Sequence, residues 1–467
     1  MDLFRKKNVE HVSTHESKLR KCLSAFDLTF LGVGAIIGAG IFVLTGVVAA
    51  TQAGPAIVFS YVLAGLACAF SALSYAELAA SVGGCGSAYG YTYAGFGELI
   101  AWIVGWDLLL EYGIATSAVS VGWSGYANDL LTSLHIALPE VLRHGPLDGG
   151  YINLMAFLVI AFLTLMLSFG IKSSSYFNNL MVMVKLLVIG IFIIIASTNV
   201  RAENWAVFMP FGWGGVIDGA ALIFFAYVGF DAVSTAAEEA INPQRDLPIG
   251  IIGSLLICTV LYILVSGLLT AIVPYSSLDT ASPISNSLLQ LGHRLGAGLV
   301  GIGAIAGLTT VMLVLFFGLS RVFLAMSRDG LLPHFFAVTH PKTMTPLRII
   351  LLSGILMALT GGFMPISDLA ELVNIGTLFA FMLVCAGVIV MRYRHPEIHR
   401  PFKTPFMPLI PVLGIVSCGY LIYNLPFVTM LRFTIWMGVG MIIYFIFSQK
   451  NSRLNPQNTS QILNGVL

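Results

Sequence analysis

Stretch after stretch of twenty or more residues in this 467-residue chain carries no Lys, Arg, Asp or Glu. That pattern leaves few folds open. Only 10% of the residues are charged, against about 25% in a soluble globular domain. A helix of about 20 apolar residues crosses the hydrocarbon core of a bilayer. Such segments lie near 28–50, 56–79, 97–127, 151–170, 180–198, 217–237, 248–273, 296–326, 347–362, 370–391, 408–427 and 431–448. The predicted fold is an all-α polytopic membrane protein with twelve transmembrane helices. The ninth segment is the shortest, and the third and eighth are long enough to tilt or to extend beyond the membrane.

Lys and Arg gather on the cytoplasmic side of membrane proteins. With the N-terminus inside, Arg143, Arg201, Arg294 and Arg432 fall outside and Lys185 lies within a span; the other eighteen of the 23 basic residues fall inside. This bias predicts a multi-pass protein of the plasma membrane with both termini cytoplasmic. The first apolar run starts at Leu28 and is too long for the core of a cleavable signal peptide. The six cysteines form no CxxC pair, which predicts free thiols and no cysteine metal site. A net charge of +1 gives no reason to expect nucleic acid as a partner.

Two apolar segments are interrupted by glycine at matching depths. Gly32-Val33-Gly34-Ala35-Ile36-Ile37-Gly38-Ala39-Gly40-Ile41-Phe42 holds four glycines, and Phe224-Phe225-Ala226-Tyr227-Val228-Gly229-Phe230-Asp231 places aromatics on both sides of one. Unwound backbone inside a membrane is tolerated only where it faces protein or a cavity. Two matched breaks therefore predict a substrate site near the bilayer midplane and a transport function. The second break comes five helices after the first, an odd number, so the second set enters the membrane from the opposite side. The prediction is a five-plus-five inverted repeat with helices 1 and 6 broken. Its domains are a cytoplasmic segment 1–27, helices 1–5 over 28–198, helices 6–10 over 199–391, helices 11–12 over 392–450, and a cytoplasmic tail 451–467.

At the first break, free amides at the start of a half-helix suit a carboxylate, which places a substrate carboxylate near Gly38, Ala39 and Gly40. Packing through the GxxxG pair Gly34 and Gly38 is the competing reading. At the second break, opened carbonyls suit an ammonium group, and Phe225 either closes over the ligand or simply packs. Asp231 either meets substrate or braces the opened helix.

Charges inside a membrane are expensive and mark function by default. Lys185 in the fifth span is a candidate for proton coupling, or else snorkels to the surface. Glu111 and Asp107 share one face of the third helix at i,i+4. Glu111 is the candidate for binding a cationic side chain or exchanging a proton, and Asp107 for a polar network. Glu77 is a further acidic residue near the inner end of its span. Met312 in the eighth span suits an adjustable pocket wall, though a lone Met is more often packing.

The longest motifs run from Phe224 to Glu239, over Asn242-Pro243-Gln244-Arg245-Asp246-Leu247-Pro248, from Ala325 to Pro333, and over Gly34 to Phe42. In these the chain resembles the cationic amino acid transporter group of the amino acid–polyamine–organocation superfamily, from Leu23 to about Lys450. The resemblance implies that Ile37, Gly38, Ala39 and Gly40 hold a substrate carboxylate. It implies that Phe225, Ala226 and Val228 contact the amine side, and that Lys185 is the lysine linked to proton coupling. Eukaryotic members have fourteen spans, so twelve favour a bacterial relative, which could prefer a neutral substrate such as alanine over a cationic one such as arginine. Met312 would then shorten the pocket.

The expected activity is uptake of an L-amino acid with a proton by alternating access. No catalytic residue and no cofactor is expected; protons are the coupling ion, and the partners are the amino acid, lipid and an unidentified small membrane protein. An amino acid exchanger and a membrane amino acid sensor are the alternatives. A channel would need a continuous polar face, and a metalloenzyme would need a spacing such as HExxH; neither is present. Arg321, Arg328 and Arg392 are expected to close inner contacts by pairing with Glu238, Glu239 or Asp246.

Overall fold

A computed structural model describes residues 5, 23–82, 87–136, 138–169, 175–237, 240–340, 345–394, 396–397 and 399–455. The longer helices are α1 (Ala25–Ile36), α2 (Ile57–Val82), α3 (Glu98–Ser133), α4 (Leu154–Ser168), α5 (Ser175–Ser197), α6 (Gly212–Ile223), α7 (Pro243–Ile272), α8 (Arg294–Arg328), α9 (Leu347–Phe363), α10 (Ile366–Arg394), α11 (Leu409–Tyr423) and α12 (Phe427–Ile443). Among the described residues, eight helical stretches are long and apolar enough to cross a membrane. Four shorter apolar helices, α1, α4, α9 and α11, accompany them. The chain is thus an all-α polytopic membrane protein.

Apolar residues cover the outside as well as the core, as a hydrocarbon solvent requires. Leu431, Ile435, Val439 and Ile442 stand exposed along α12, and Leu295, Leu299 and Ile302 along α8. The buried face of α3 instead carries Gly105, Gly113, Gly122, Ser117, Ser120 and Ser124. Without a hydrophobic drive between helices in lipid, close packing of small residues and hydrogen bonds between helices hold the bundle. Ser117 Oγ, for example, reaches Thr360 Oγ1 of α9 at 2.6 Å.

The packing repeats under a shift of five helices. Helix α3 packs on α8, α2 on α7 and α4 on α9. The contact of α1 with α7 has its counterpart in α6 with α2, and α5 with α8 in α10 with α3. This is an inverted-repeat-like arrangement, written in which faces meet rather than in residue identity. A parallel bridge, with Ile241 N donating to Leu23 O at 2.9 Å, ties the segment before α1 to the segment after the second interruption.

Some connections carry more structure than the sequence suggests. Short helices fill Ser87–Gly95 and Pro283–Gln290; two 3-10 turns lie in the loop 128–150 and one in 199–216. On the side of the α2 and α10 ends, Arg392 pairs with Glu77 at 2.6 Å, and Arg400 approaches the same carboxylate at 3.5 Å. The backbone N–H of Thr404 donates to it at 2.7 Å. Of the three acidic residues offered as partners for Arg321, Arg328 and Arg392, Asp246 instead accepts the N–H of Asn242 at its own helix start, and Arg392 pairs with Glu77. Arg321 lies over the Phe317 ring at 4.1 Å. Glu238 and Glu239 lie outside the described residues.

Candidate binding site between two interrupted helices

The first interruption follows α1. Ile37 leaves helical space (φ −72°, ψ 97°), and the chain resumes as a π-helical turn over Gly40–Leu44. The second follows α6. A 3-10 turn over Phe224–Tyr227 ends at an extended Val228 (ψ 132°), and Gly229 takes φ +116° before a 3-10 stretch over Phe230–Ala236. Both preceding helices are 12 residues long. Gly229 is required by its left-handed backbone. Gly40 is required by contact, because a Cβ there would overlap Ala226. The two interruptions thus touch backbone to backbone.

Buried side chains satisfy the carbonyls that the interruptions free. Lys185 Nζ donates to Gly34 O at 2.7 Å and Ile37 O at 3.2 Å. The Tyr262 hydroxyl lies 2.9 Å from Ile36 O and 2.7 Å from Ala226 O, joining both interruptions. The Thr45 hydroxyl donates to Gly40 O at 3.1 Å and Tyr126 to Phe42 O at 2.7 Å. Asn374 Nδ2 donates to Ala221 O and Leu222 O at 2.8 and 2.9 Å. Lys185 is 0% exposed, so its ammonium does not snorkel to the surface.

A small void opens where the interruptions meet. Gly38, Ala39, Gly40, Phe225 and Val228 line it, with Ala35 and Ile36 beside them. Ala115 and Val119 of α3 and Val311 and Leu315 of α8 form the remaining wall. Apart from Phe225, the wall consists of aliphatic side chains, glycines and backbone polar groups. The void itself is small, about 10 Å³, room for about one water, and its wall is apolar apart from backbone polar groups.

Not every candidate lies on this wall. Ile37 meets Lys185 through its carbonyl, and Ala226 is the contact of Gly40. Met312 is fully buried but outside the lining, which Val311 and Leu315 supply. Glu111, Asp107 and Asp231 occupy a separate buried layer. The Tyr112 hydroxyl donates to Asp231 at 3.2 Å. Asp107 is fully buried against Gly376 of α10, and neither of its oxygens has a hydrogen-bond partner among the described residues. Glu111 lies within electrostatic reach of both other carboxyls. The sequence reading missed Ala115, Val119, Val311, Leu315, Tyr262 and Asn374. The four aliphatic ones carry no signal in an apolar helix, whereas a buried Tyr and Asn in two spans were visible polar outliers. Among the described residues no group of three or more His, Cys, Asp or Glu could hold a metal ion.

Comparison with known proteins decides the family. The model of the amino acid permease family matches residues 23–447. The chain belongs to the amino acid permease family. It is 49% identical over 457 residues to the methylthioribose transporter of Bacillus subtilis, covering 97% of this chain and 99% of that one. It is 50% identical over 461 residues to the branched-chain amino acid permease BcaP of the same organism, again over 97% and 99%. The human cationic amino acid transporter 4 is 40% identical over 393 residues, covering 82% of this chain and 61% of that one.

The chain is therefore a permease of the amino acid–polyamine–organocation superfamily, a transport protein and not an enzyme. The resemblance to the cationic group in particular is corrected, because bacterial permeases with other named substrates match more of the chain at higher identity. The physical reason lies in what the motifs encode. Gly34–Phe42 and Phe224–Asp231 specify interrupted backbone, a need shared by permeases whatever side chain they carry.

Proposed function

We propose that this permease takes up a neutral, apolar L-amino acid together with a proton by alternating access. In this reading α1 to α12 are twelve membrane-spanning helices in a five-plus-five inverted repeat, with the first and sixth broken at the two interruptions. Residues 28–198 and 199–391 are the repeats, 392–450 the two added helices, and 1–27 and 451–467 cytoplasmic segments in the plasma membrane. The bias of Lys and Arg supports that orientation.

The substrate carboxylate sits on the amides near Gly38, Ala39 and Gly40 beside Ile37. Its ammonium faces the carbonyls around Ala226 and Val228, and Phe225 closes the site. Ala115, Val119, Val311 and Leu315 receive the side chain, with Met312 filling space behind them. No charged side chain lines the void, which supports a neutral substrate. The named substrate of BcaP points the same way.

One observation carries the coupling: Lys185, buried with no carboxylate partner among the described residues, spends its N–H groups on two carbonyls at the first interruption. Gain or loss of one proton changes how firmly that lysine holds α1, so protonation and the shape of the site move together. Glu111 exchanges a proton in the neighbouring acidic layer, and Asp107 and Asp231 brace it. The test is uptake of labelled leucine, alanine and arginine into sodium-free proteoliposomes with an inward proton gradient. Leucine and alanine should accumulate and arginine should not. Lys185→Ala should abolish accumulation but keep exchange with preloaded substrate. Uptake that requires preloading in the unmodified protein would make it an exchanger, and binding without uptake would make it a sensor.

A further inference from the structure

A second cavity, of about 290 Å³, lies along the C-terminal half of α6, beside the loop that joins α11 to α12. Gln52, Asp218, Ala221, Leu222, Glu371 and Asn424 are among its walls. A site for one water needs only about 10–15 Å³, so this space suits a molecule rather than a bare ion.

Its polar groups share one character. Asp218 and Glu371 bring carboxylates. Gln52 Oε1 is buried and has no hydrogen-bond partner among the described residues. Asn374 follows Glu371 by three residues on α10, which puts both on one helix face. It is fully buried, and its Nδ2 is spent on the carbonyls of Ala221 and Leu222, two wall residues of the cavity. Its Oδ1 is also without a partner among the described residues, but Asn374 stands behind the wall and does not line the cavity. Both orphaned atoms are acceptors. Thr429 Oγ1 donates to Glu371 at 2.6 Å, and Arg432 is held by Asp368 at 3.0 Å. A buried acceptor left unpaired is costly, and a ligand with three N–H donors and one positive charge matches the three acceptors on the wall, Asp218, Glu371 and Gln52.

We propose that this cavity is a binding site for a primary ammonium group, separate from the central void. Ala221 and Leu222 stand one turn before Phe224–Tyr227, so an amine held here waits beside the second interruption. The inference needs neither proton coupling nor a particular side-chain preference.

The experiment is calorimetric titration of the full chain in lipid nanodiscs with n-propylammonium. Saturable binding is expected. It should weaken at least tenfold in Glu371→Gln and in Asp218→Asn, and persist in Glu371→Asp, which keeps the charge. Gly38→Ala, which alters only the central void, should leave it unchanged. Choline carries the charge without N–H donors, and sodium is a bare cation; neither should displace the amine. Absence of saturable binding, equal affinity in Glu371→Gln and Asp218→Asn, or displacement by choline or sodium would each overturn the proposal. None of these outcomes depends on the uptake assay, so the two readings fail separately.

Discussion

At the scale of single residues, the account turns on which glycines are needed for backbone and which leave room. Gly40 abuts Ala226 with no space for a methyl group, and Gly229 holds φ +116°. Gly38 differs: a Cβ there would meet Val311 at an ordinary 3.5 Å. Gly38→Ala should therefore fold normally and take volume from the void. Its affinity for leucine should fall at least fivefold more than its affinity for alanine, as read by competition binding. Lys185→Met keeps the bulk of the side chain but removes two N–H donors from the carbonyls of Gly34 and Ile37. Each buried carbonyl left unpaired costs about 1–3 kcal/mol. A lower unfolding temperature in detergent should accompany the loss of coupling.

The glycine runs were legible in the sequence because four glycines within the nine residues 32–40 stand out in an apolar span. Lys185 was legible because a charge in a span is rare. Ala115, Val119, Val311 and Leu315 were not, since an aliphatic residue looks the same facing a substrate, a helix or a lipid. Nor was the partner of Arg392 legible, since it lies 315 positions away at Glu77.

At the scale of elements, two fastenings hold helices across the repeat. Glu77 on α2 gathers Arg392 of α10, Arg400 and the N–H of Thr404. Glu77→Ala takes the shared carboxylate from two arginines that are mostly buried. Breaking such a group costs about 3 kcal/mol or more, so thermal unfolding should shift clearly downward, whereas Glu77→Gln should recover part of the loss through its remaining carbonyl acceptor. The second fastening is aromatic. Trp106 and Trp436 stack at 4.5 Å, and each indole N–H donates to the other's backbone carbonyl, at 3.0 and 3.3 Å. Trp102 extends the stack and donates to Gly440 O. Trp436→Ala should loosen α12 from α3 and cost about 3 kcal/mol, seen as faster proteolysis near residue 450 and a lower unfolding temperature. Apolar length announced these helices. Their partners depend on contacts far apart in sequence, which no local pattern records.

At the scale of the whole molecule, the inverted pairing of α1–α5 with α6–α10 brings two interruptions to one point, with Lys185 behind one and Asn374 beside the helix leading to the other. The central claim is that the substrate side chain lies in the void between them, against α3 and α8. It is tested most directly by equilibrium binding of labelled leucine to the purified protein carrying Val311→Phe, with Leu299→Phe as control. Val311 lines the void, while Leu299 of the same helix is 54% exposed on the outside. The account predicts at least a tenfold loss of affinity in Val311→Phe and an unchanged affinity in Leu299→Phe. Leucine binding to Val311→Phe as tightly as to the unmodified protein would contradict it.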